Sequence, residues 1–137
     1  MGTVYTEITL KNVGDVINVQ RGYLEAQNVR ETMVKAVVDT GTMQLVINET
    51  ICKKLGLEIQ GIKEATLANN AKEFCKIAEP VEIHWKQRSS VCRPWVLQGT
   101  EEVLLGVIPL EDMDLMVDPK NQELTGRHGD EQVMMIY

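Results

Sequence analysis

The stretch that decides the fold is Val34-Lys35-Ala36-Val37-Val38-Asp39-Thr40-Gly41-Thr42, an apolar run that ends abruptly on polar residues. Its valine and alanine residues recur at a period of two, which predicts a buried strand. The Asp-Thr-Gly that follows predicts a tight turn, because glycine can adopt backbone angles that other residues avoid. A carboxylate at the mouth of a buried strand must be solvated, paired or functional, since burying a lone charge is costly.

The composition is that of one globular domain, which we expect to span residues 1–137. Apolar residues make up 44% and charged residues 25% of the chain, both ordinary values, while the aromatic content of 4% predicts a core of aliphatic side chains and methionine. The net charge of −6 offers no basic surface for nucleic acid. No apolar run reaches the roughly 18 residues of a membrane helix, and no secretory signal is evident. We therefore expect a cytoplasmic protein with neither nucleic acid nor membrane as a partner.

The metal-ligating and nucleophilic residue types are scattered along the chain. Cys52, Cys75 and Cys92 are odd in number and form no C-x-x-C pair, which predicts neither a disulfide framework nor a zinc site. His84 and His128 have no potential ligand nearby in the sequence. No metal and no cofactor are therefore expected.

The N-terminal half alternates between strand patterns and turns. Residues 4–10 alternate apolar and polar side chains, and Val16–Val19 predicts a second strand. A longer strand is predicted over Val29–Val38. Asn48 is a favourable N-cap, so a short helix is predicted over Glu49–Leu55, ended by a glycine.

The C-terminal half continues the same pattern. A hairpin is predicted from Ile62 to Ile83, turning at Asn69-Asn70, because asparagine tolerates a positive φ. Ser89-Ser90 predicts another turn, and Pro109 predicts a brief helical turn through Asp112. The whole chain therefore reads as all-β, with one or two short helices.

The opening stretch resembles the catalytic motif of the retroviral-type (retropepsin-like) aspartic proteases. The resemblance begins with Val37-Val38-Asp39-Thr40-Gly41-Thr42 and continues through Ile47 and Leu55-Gly56-Leu57. Asp-Thr-Gly alone is a common tripeptide, so the resemblance depends on the further matching segments that follow it in the same order as in the family.

Two later segments extend the resemblance. Ala68-Asn69-Asn70 resembles the flap tip of the family, and Leu104-Leu105-Gly106 resembles its second signature, followed by Leu110, Asp118-Pro119 and Leu124. Together the matching segments cover residues 29–125 and leave a tail at 126–137. The resemblance implies a retropepsin-like closed β-barrel, the acid-protease fold, and the activity of an aspartic endopeptidase.

The chemistry of such an enzyme needs two carboxylates that share one proton, one acting as base on water and one as acid toward the scissile carbonyl. This chain has a single Asp-Thr-Gly. The partner of Asp39 must then be Asp39 of a second copy, so the resemblance implies a symmetric homodimer acting on a peptide or protein substrate.

The resemblance also assigns roles to neighbouring residues. Thr40 would hydrogen-bond across the dimer, Gly41 would bring its amide close to the carboxylates, and the Thr42 hydroxyl would bond to Asp39. Leu104, Leu105 and Gly106 would support the catalytic loop. The hairpin tip Ala68-Asn69-Asn70 would close over the bound peptide.

Some positions depart from the family pattern. Thr42 stands where alanine or serine is more common, and Asn70 replaces an expected flap glycine. The tail run Val133–Tyr137 either interleaves with a partner, as the termini of the viral enzymes do, or packs on its own chain.

Three other interpretations of the motif are open. Asp39 could lie in a merely solvated turn between strands. The domain could keep the fold as an inactive dimerisation or peptide-binding module. A metal-dependent hydrolase would have to recruit the scattered aspartates and the two histidines.

Overall fold

The computed structural model describes residues 2–136. Within them the chain forms eleven strands, three short α-helices and one 3-10 turn. The elements of the first half are β1 (Tyr5–Asn12), α1 (Val13–Gln20), the 3-10 turn (Ala26–Asn28), β2 (Glu31–Val38), β3 (Val46–Ile47) and α2 (Glu49–Lys54). The elements of the second half are β4 (Ile59–Thr66), β5 (Lys72–Ala78), β6 (Val81–Trp85), β7 (Arg88–Cys92), β8 (Trp95–Val96), β9 (Leu104–Leu105), α3 (Val107–Asp112), β10 (Leu115–Asp118) and β11 (Glu123–Gly126).

Nine of the strands form one sheet in the order β4-β5-β8-β3-β9-β2-β1-β6-β7, which curls into a half-barrel. The remaining two, β10 and β11, pair with each other as a separate hairpin. The all-β class predicted from the sequence is confirmed, but the sheet keeps two edge strands, β4 and β7, and is a half-barrel rather than the closed barrel that the resemblance implied.

The centre of the sheet is built from short strands that are distant in sequence. Most neighbours are antiparallel, but β9 runs parallel to β2, with Val37 opposite Leu104 and Val38 opposite Leu105. The other side of β9 pairs with β3. Because β9 is inserted between β2 and β3, the end of β2, where Asp39 follows, lies beside the second signature segment.

The core is aliphatic, as the low aromatic content predicts. Its largest fully buried non-proline side chains are those of Ile8, Leu10, Leu45, Ile47, Leu55, Val81, Ile83, Leu105, Met113 and Leu115. Six of them lie in strands of the nine-stranded sheet, so the core supports the strands that carry the motif.

The strand predicted over Val16–Val19 is wrong, because these residues belong to helix α1. The Asn12 side chain accepts a hydrogen bond from the Asp15 backbone N–H and so caps the helix. A short apolar run fits a strand and a helix equally well by periodicity, and the cap decides between them. Residues 2–136 therefore hold three α-helices rather than the predicted one or two.

The turn predicted at Ser89-Ser90 is also wrong, since both serines lie inside β7. The chain turns instead at Lys86-Gln87, where Lys86 has a φ of 50°. Ser90 is buried against the sheet and Ser89 lies at its edge, so tertiary contacts outweigh the turn preference of serine.

Other predicted elements are confirmed. Helix α2 begins after Asn48, whose side chain accepts from the Ile51 N–H, and it ends before Gly56, with a φ of 64°. The hairpin of β4 and β5 turns at Asn69-Asn70 as predicted, but it spans Ile59–Ala78 rather than Ile62–Ile83, because the chain leaves β5 at Ala78 and begins β6 at Val81.

Gly126, the first residue of the tail, ends β11, and residues 127–136 show no strand; Tyr137 lies outside the described residues. No helix among residues 2–136 is long and apolar enough to cross a membrane.

Candidate active site

Asp39 is positioned by the parallel pair of β2 and β9. Its backbone N–H donates to the Leu105 carbonyl oxygen at 3.0 Å, and two residues earlier the Val37 N–H donates to the Val103 carbonyl at 2.8 Å. Leu105 itself is fully buried. The backbone of the aspartate is therefore fixed by the sheet while its side chain projects from the end of β2 and remains partly exposed.

The carboxylate of Asp39 is held by two donors from the turn that follows. The Gly41 N–H donates to Oδ1 at 2.9 Å, and the Thr42 hydroxyl donates to Oδ2 at 2.8 Å. The Thr42 N–H in addition donates to the Asp39 carbonyl oxygen at 3.1 Å. Both oxygens thus have a fixed orientation, and each keeps lone pairs free for a further partner.

Gly106 lets the second signature segment reach the motif turn. A Cβ atom at this position would lie 2.6 Å from the Thr42 carbonyl oxygen and 2.7 Å from the Met43 carbonyl carbon. Real Cβ atoms do not approach backbone atoms so closely. The glycine is needed for space rather than for its backbone angles, since its φ is −86°.

Helix α3 contributes two hydrogen bonds that sequence reasoning did not predict. The Val107 N–H donates to the Thr42 carbonyl oxygen at 2.8 Å and the Ile108 N–H to the Met43 carbonyl oxygen at 2.9 Å. The first amides of a helix have no partner within the helix, so the turn after Asp39 satisfies them. Pro109, in the first turn of α3, is the sequence signal for a helix that starts just after Gly106, and such a start could have revealed these bonds.

The predicted flap residues form the tip of the β4–β5 hairpin, at one end of the nine-stranded sheet order. Leu67 and Ala71 close the turn with a backbone bond of 2.8 Å, and Ala71 N–H also donates to the Asn69 side chain at 3.0 Å. Asn70 has a φ of 64°, in the left-handed region that glycine and asparagine enter most readily. The hydrogen bonds described at this tip stay within it. Of the predicted site residues, the structure thus brings the second signature segment to Asp39, but it shows no bond between the flap tip and Asp39.

The exposed neighbours of Asp39 include apolar groups. Thr40 and Gly41 face solvent, and the adjacent Met43 is 62% exposed. Ile108, whose N–H binds the Met43 carbonyl, is 40% exposed.

Three other aspartates are engaged elsewhere in the described chain. Asp15 bonds to the Arg30 guanidinium, and Asp118 accepts bonds inside its own turn. Asp114 accepts from His128 and from the Val133 N–H. None of the three carboxylates is hydrogen-bonded to the motif turn.

The three cysteine thiols are shielded from solvent to different degrees. Burial raises the pKa of the Cys52 and Cys75 thiols, and it raises that of Cys92 to about 12, so all three stay protonated at neutral pH. Among residues 2–136, no group of three or more His, Cys, Asp or Glu side chains could hold a metal ion.

Comparison with known proteins relates the fold to one known architecture. No family model and no curated protein sequence matches the chain. Among solved structures, it is similar to the retroviral protease-like domain of Ddi1 from Leishmania major, with a TM-score of 0.55 and 15% sequence identity. The match covers 91% of this chain and 88% of that one. At this identity the similarity shows the fold alone, and the fold is retropepsin-like.

Proposed function

We propose that the chain is an aspartic endopeptidase in which two copies of Asp39, one from each subunit of a homodimer, hydrolyse a peptide bond. The observation that carries the proposal is the Asp39 carboxylate, held by Gly41 and Thr42 at the end of a strand in a retropepsin-like fold. A merely solvated turn would not need both oxygens fixed, nor the buried support from Leu105.

The reaction follows from two carboxylates at close range. Like charges a few ångströms apart do not both ionise readily, so the pair holds one proton between them. The ionised member takes a proton from water, which attacks the scissile carbonyl carbon, and the protonated member donates to the carbonyl oxygen. Proton transfer to the amide nitrogen then lets the C–N bond break, so that one water molecule is added across the peptide bond.

The mechanism needs a second subunit because it uses two Asp-Thr-Gly carboxylates and one chain supplies a single one. The sequence has one Asp-Thr-Gly, and Asp15, Asp114 and Asp118 bond elsewhere. The exposed side chains of Met43 and Ile108 beside the motif favour a face that a second copy covers. The run Val133–Tyr137 remains a second candidate for that interface, although the chain up to Val133 bonds to its own subunit.

The substrate would be an extended peptide lying between the motif turn and the β4–β5 hairpin. A peptide in that position can add backbone hydrogen bonds in the manner of an extra strand. The tip Ala68-Asn69-Asn70 would close over it, with Asn70 supplying the left-handed turn.

The decisive experiment compares the wild type with Asp39→Asn on a mixed peptide library, with cleavage read by mass spectrometry. We expect cleavage by the wild type and none by Asp39→Asn, which should remain folded and dimeric in sedimentation. Asp112→Asn, the same change at an exposed aspartate, is the control and should cleave normally. Cleavage that survives in Asp39→Asn would refute the mechanism. A wild type that binds peptides without cleaving them would favour the inactive peptide-binding module.

The pH profile supplies a separate check. Because the pair must keep one proton, we expect activity to peak at acid to mildly acid pH. A rate that still rises above about pH 8 would contradict a shared proton.

A further inference from the structure

Strand β7 is an outer strand of the nine-stranded sheet, paired on one side with β6. The opposite side of such a strand presents backbone N–H and C=O groups that can pair with another chain. Natural edge strands are usually guarded by charged residues or proline. The one charge inside β7 is Arg88, which is 4% exposed and turned into the protein, so the strand carries no such guard of its own.

A side chain from the tail occupies this edge in the way that a neighbouring strand would. The Ser89 N–H donates to Gln132 Oε1 at 3.1 Å, and Gln132 Nε2 donates to the Ser89 carbonyl oxygen at 3.1 Å. This pair of bonds is the one that two residues exchange across an antiparallel ladder. The same Nε2 also donates to the Asp112 carbonyl oxygen at 2.7 Å, which fixes the amide in place.

The strap that carries Gln132, residues 127–133, is anchored on both sides of it. Arg88 donates to the Gly129 carbonyl oxygen, and the Asp114 carboxylate accepts from His128 Nδ1 at 2.8 Å and from the Val133 N–H at 3.2 Å. Asp114 is itself buried. These bonds on both sides of Gln132 hold its side chain beside Ser89.

The rest of the β7 edge is free of the strap. Backbone groups alternate in direction along an antiparallel strand, so Val91 points its N–H and C=O the same way as Ser89. None of the hydrogen bonds described for the tail reaches Val91, and its side chain is 58% exposed.

We propose that the Gln132 side chain guards the β7 edge, and that its displacement from Ser89 lets β7 pair with β7 of a second copy of the chain. Two copies related by a two-fold axis would run antiparallel and present the same groups to each other. The outward residues Ser89 and Val91 carry no charge, so no like-charge repulsion opposes the pairing. This association is independent of the proposed catalytic dimer and of any activity.

The test is the mass of Gln132→Ala in solution, measured by sedimentation and light scattering over a range of concentrations. We expect a doubling of the wild-type mass at concentrations where the wild type does not associate further. Gln98→Ala, which removes an exposed glutamine amide bonded to Glu49, is the matched control and should keep the wild-type mass. Gln132→Glu keeps an acceptor for the Ser89 N–H but loses the donor, so it should associate to an intermediate degree.

A second variant shows where the contact lies. Adding Val91→Lys to Gln132→Ala supplies the missing charged guard and should restore the wild-type mass. Hydrogen exchange should show the Val91 amide slowing as Gln132→Ala associates. An unchanged mass in Gln132→Ala, or an association that survives Val91→Lys, would overturn the proposal.

Discussion

Gly106 lies directly against Thr42, so close that a Cβ atom at position 106 would stand 2.6 Å from the Thr42 carbonyl oxygen. The two residues belong to segments far apart in the sequence, and the Val107 N–H bonds to that same oxygen at 2.8 Å. Since Thr42 in turn donates to the Asp39 carboxylate, the contact ties the second signature to the orientation of the aspartate.

Gly106→Ala should destabilise the protein by about 1–3 kcal/mol, the usual cost of overpacking, because the atoms in the way are backbone. Urea unfolding measures the loss. Gly61→Ala is the matched control, since a Cβ there meets nothing within 4 Å, and it should leave stability nearly unchanged. Equal stability of Gly106→Ala and wild type would show that the two segments separate without cost.

Thr42→Val should lower the rate of peptide cleavage roughly 10-fold, because it removes the hydroxyl that donates to Asp39 Oδ2 while keeping the side-chain shape. The backbone bonds of Thr42 to Asp39 and Val107 remain. Thr42→Ser keeps the donor and should retain most of the activity. If valine and serine variants behave alike in steady-state kinetics, the hydroxyl has no role.

Asp15→Asn should lower stability at neutral pH by about 1.5–3 kcal/mol, the worth of a charged hydrogen bond. The Arg30 side chain bonds to Asp15 at 2.8 Å through both Nε and Nη2, and it lowers the pKa of that carboxyl more than burial raises it. A pKa lower in the folded than in the unfolded state means that this stabilisation is present above the unfolded value and is lost as the pH falls through the folded one.

Urea unfolding at neutral and acid pH tests the sign of this effect. The difference between wild type and Asp15→Asn should shrink as the pH falls below about 4. Asp130→Asn, at an exposed position, should match the wild type at both values. A difference that grows on acidification would contradict the assignment.

Asn70→Val should disrupt the flap tip at a cost of about 1 kcal/mol, because a β-branched residue does not readily adopt the φ of 64° found there. Asn70→Gly should keep the turn. The backbone amide at position 70 donates to the Leu67 carbonyl oxygen at 3.0 Å, so its hydrogen exchange in each variant reports on the tip directly. Equal protection of this amide in the valine and glycine variants would show that the left-handed turn is dispensable.

The parts predicted correctly from the sequence are governed by neighbours in the chain. The strand before Asp39, the cap of α2 by Asn48 and the turn at Asn69-Asn70 each depend on contacts within a few residues. Two of the wrong predictions fell on short segments. Val16–Val19 is too short for its apolar pattern to distinguish a strand from a helix. Ser89-Ser90 stays extended because β7 pairs with β6 on one side and Ser89 bonds to Gln132 on the other.

The sequence by itself determined the local geometry of the site, because the groups that hold the Asp39 carboxylate, the Gly41 N–H and the Thr42 hydroxyl, follow it within three residues. The tertiary structure alone decided that β9 enters the sheet beside β2 and that the strap reaches β7. Both contacts join residues distant in the chain. They form only when the free energy gained by burying the core exceeds the entropic cost of closing the loops between those residues. No local pattern in the sequence records that balance.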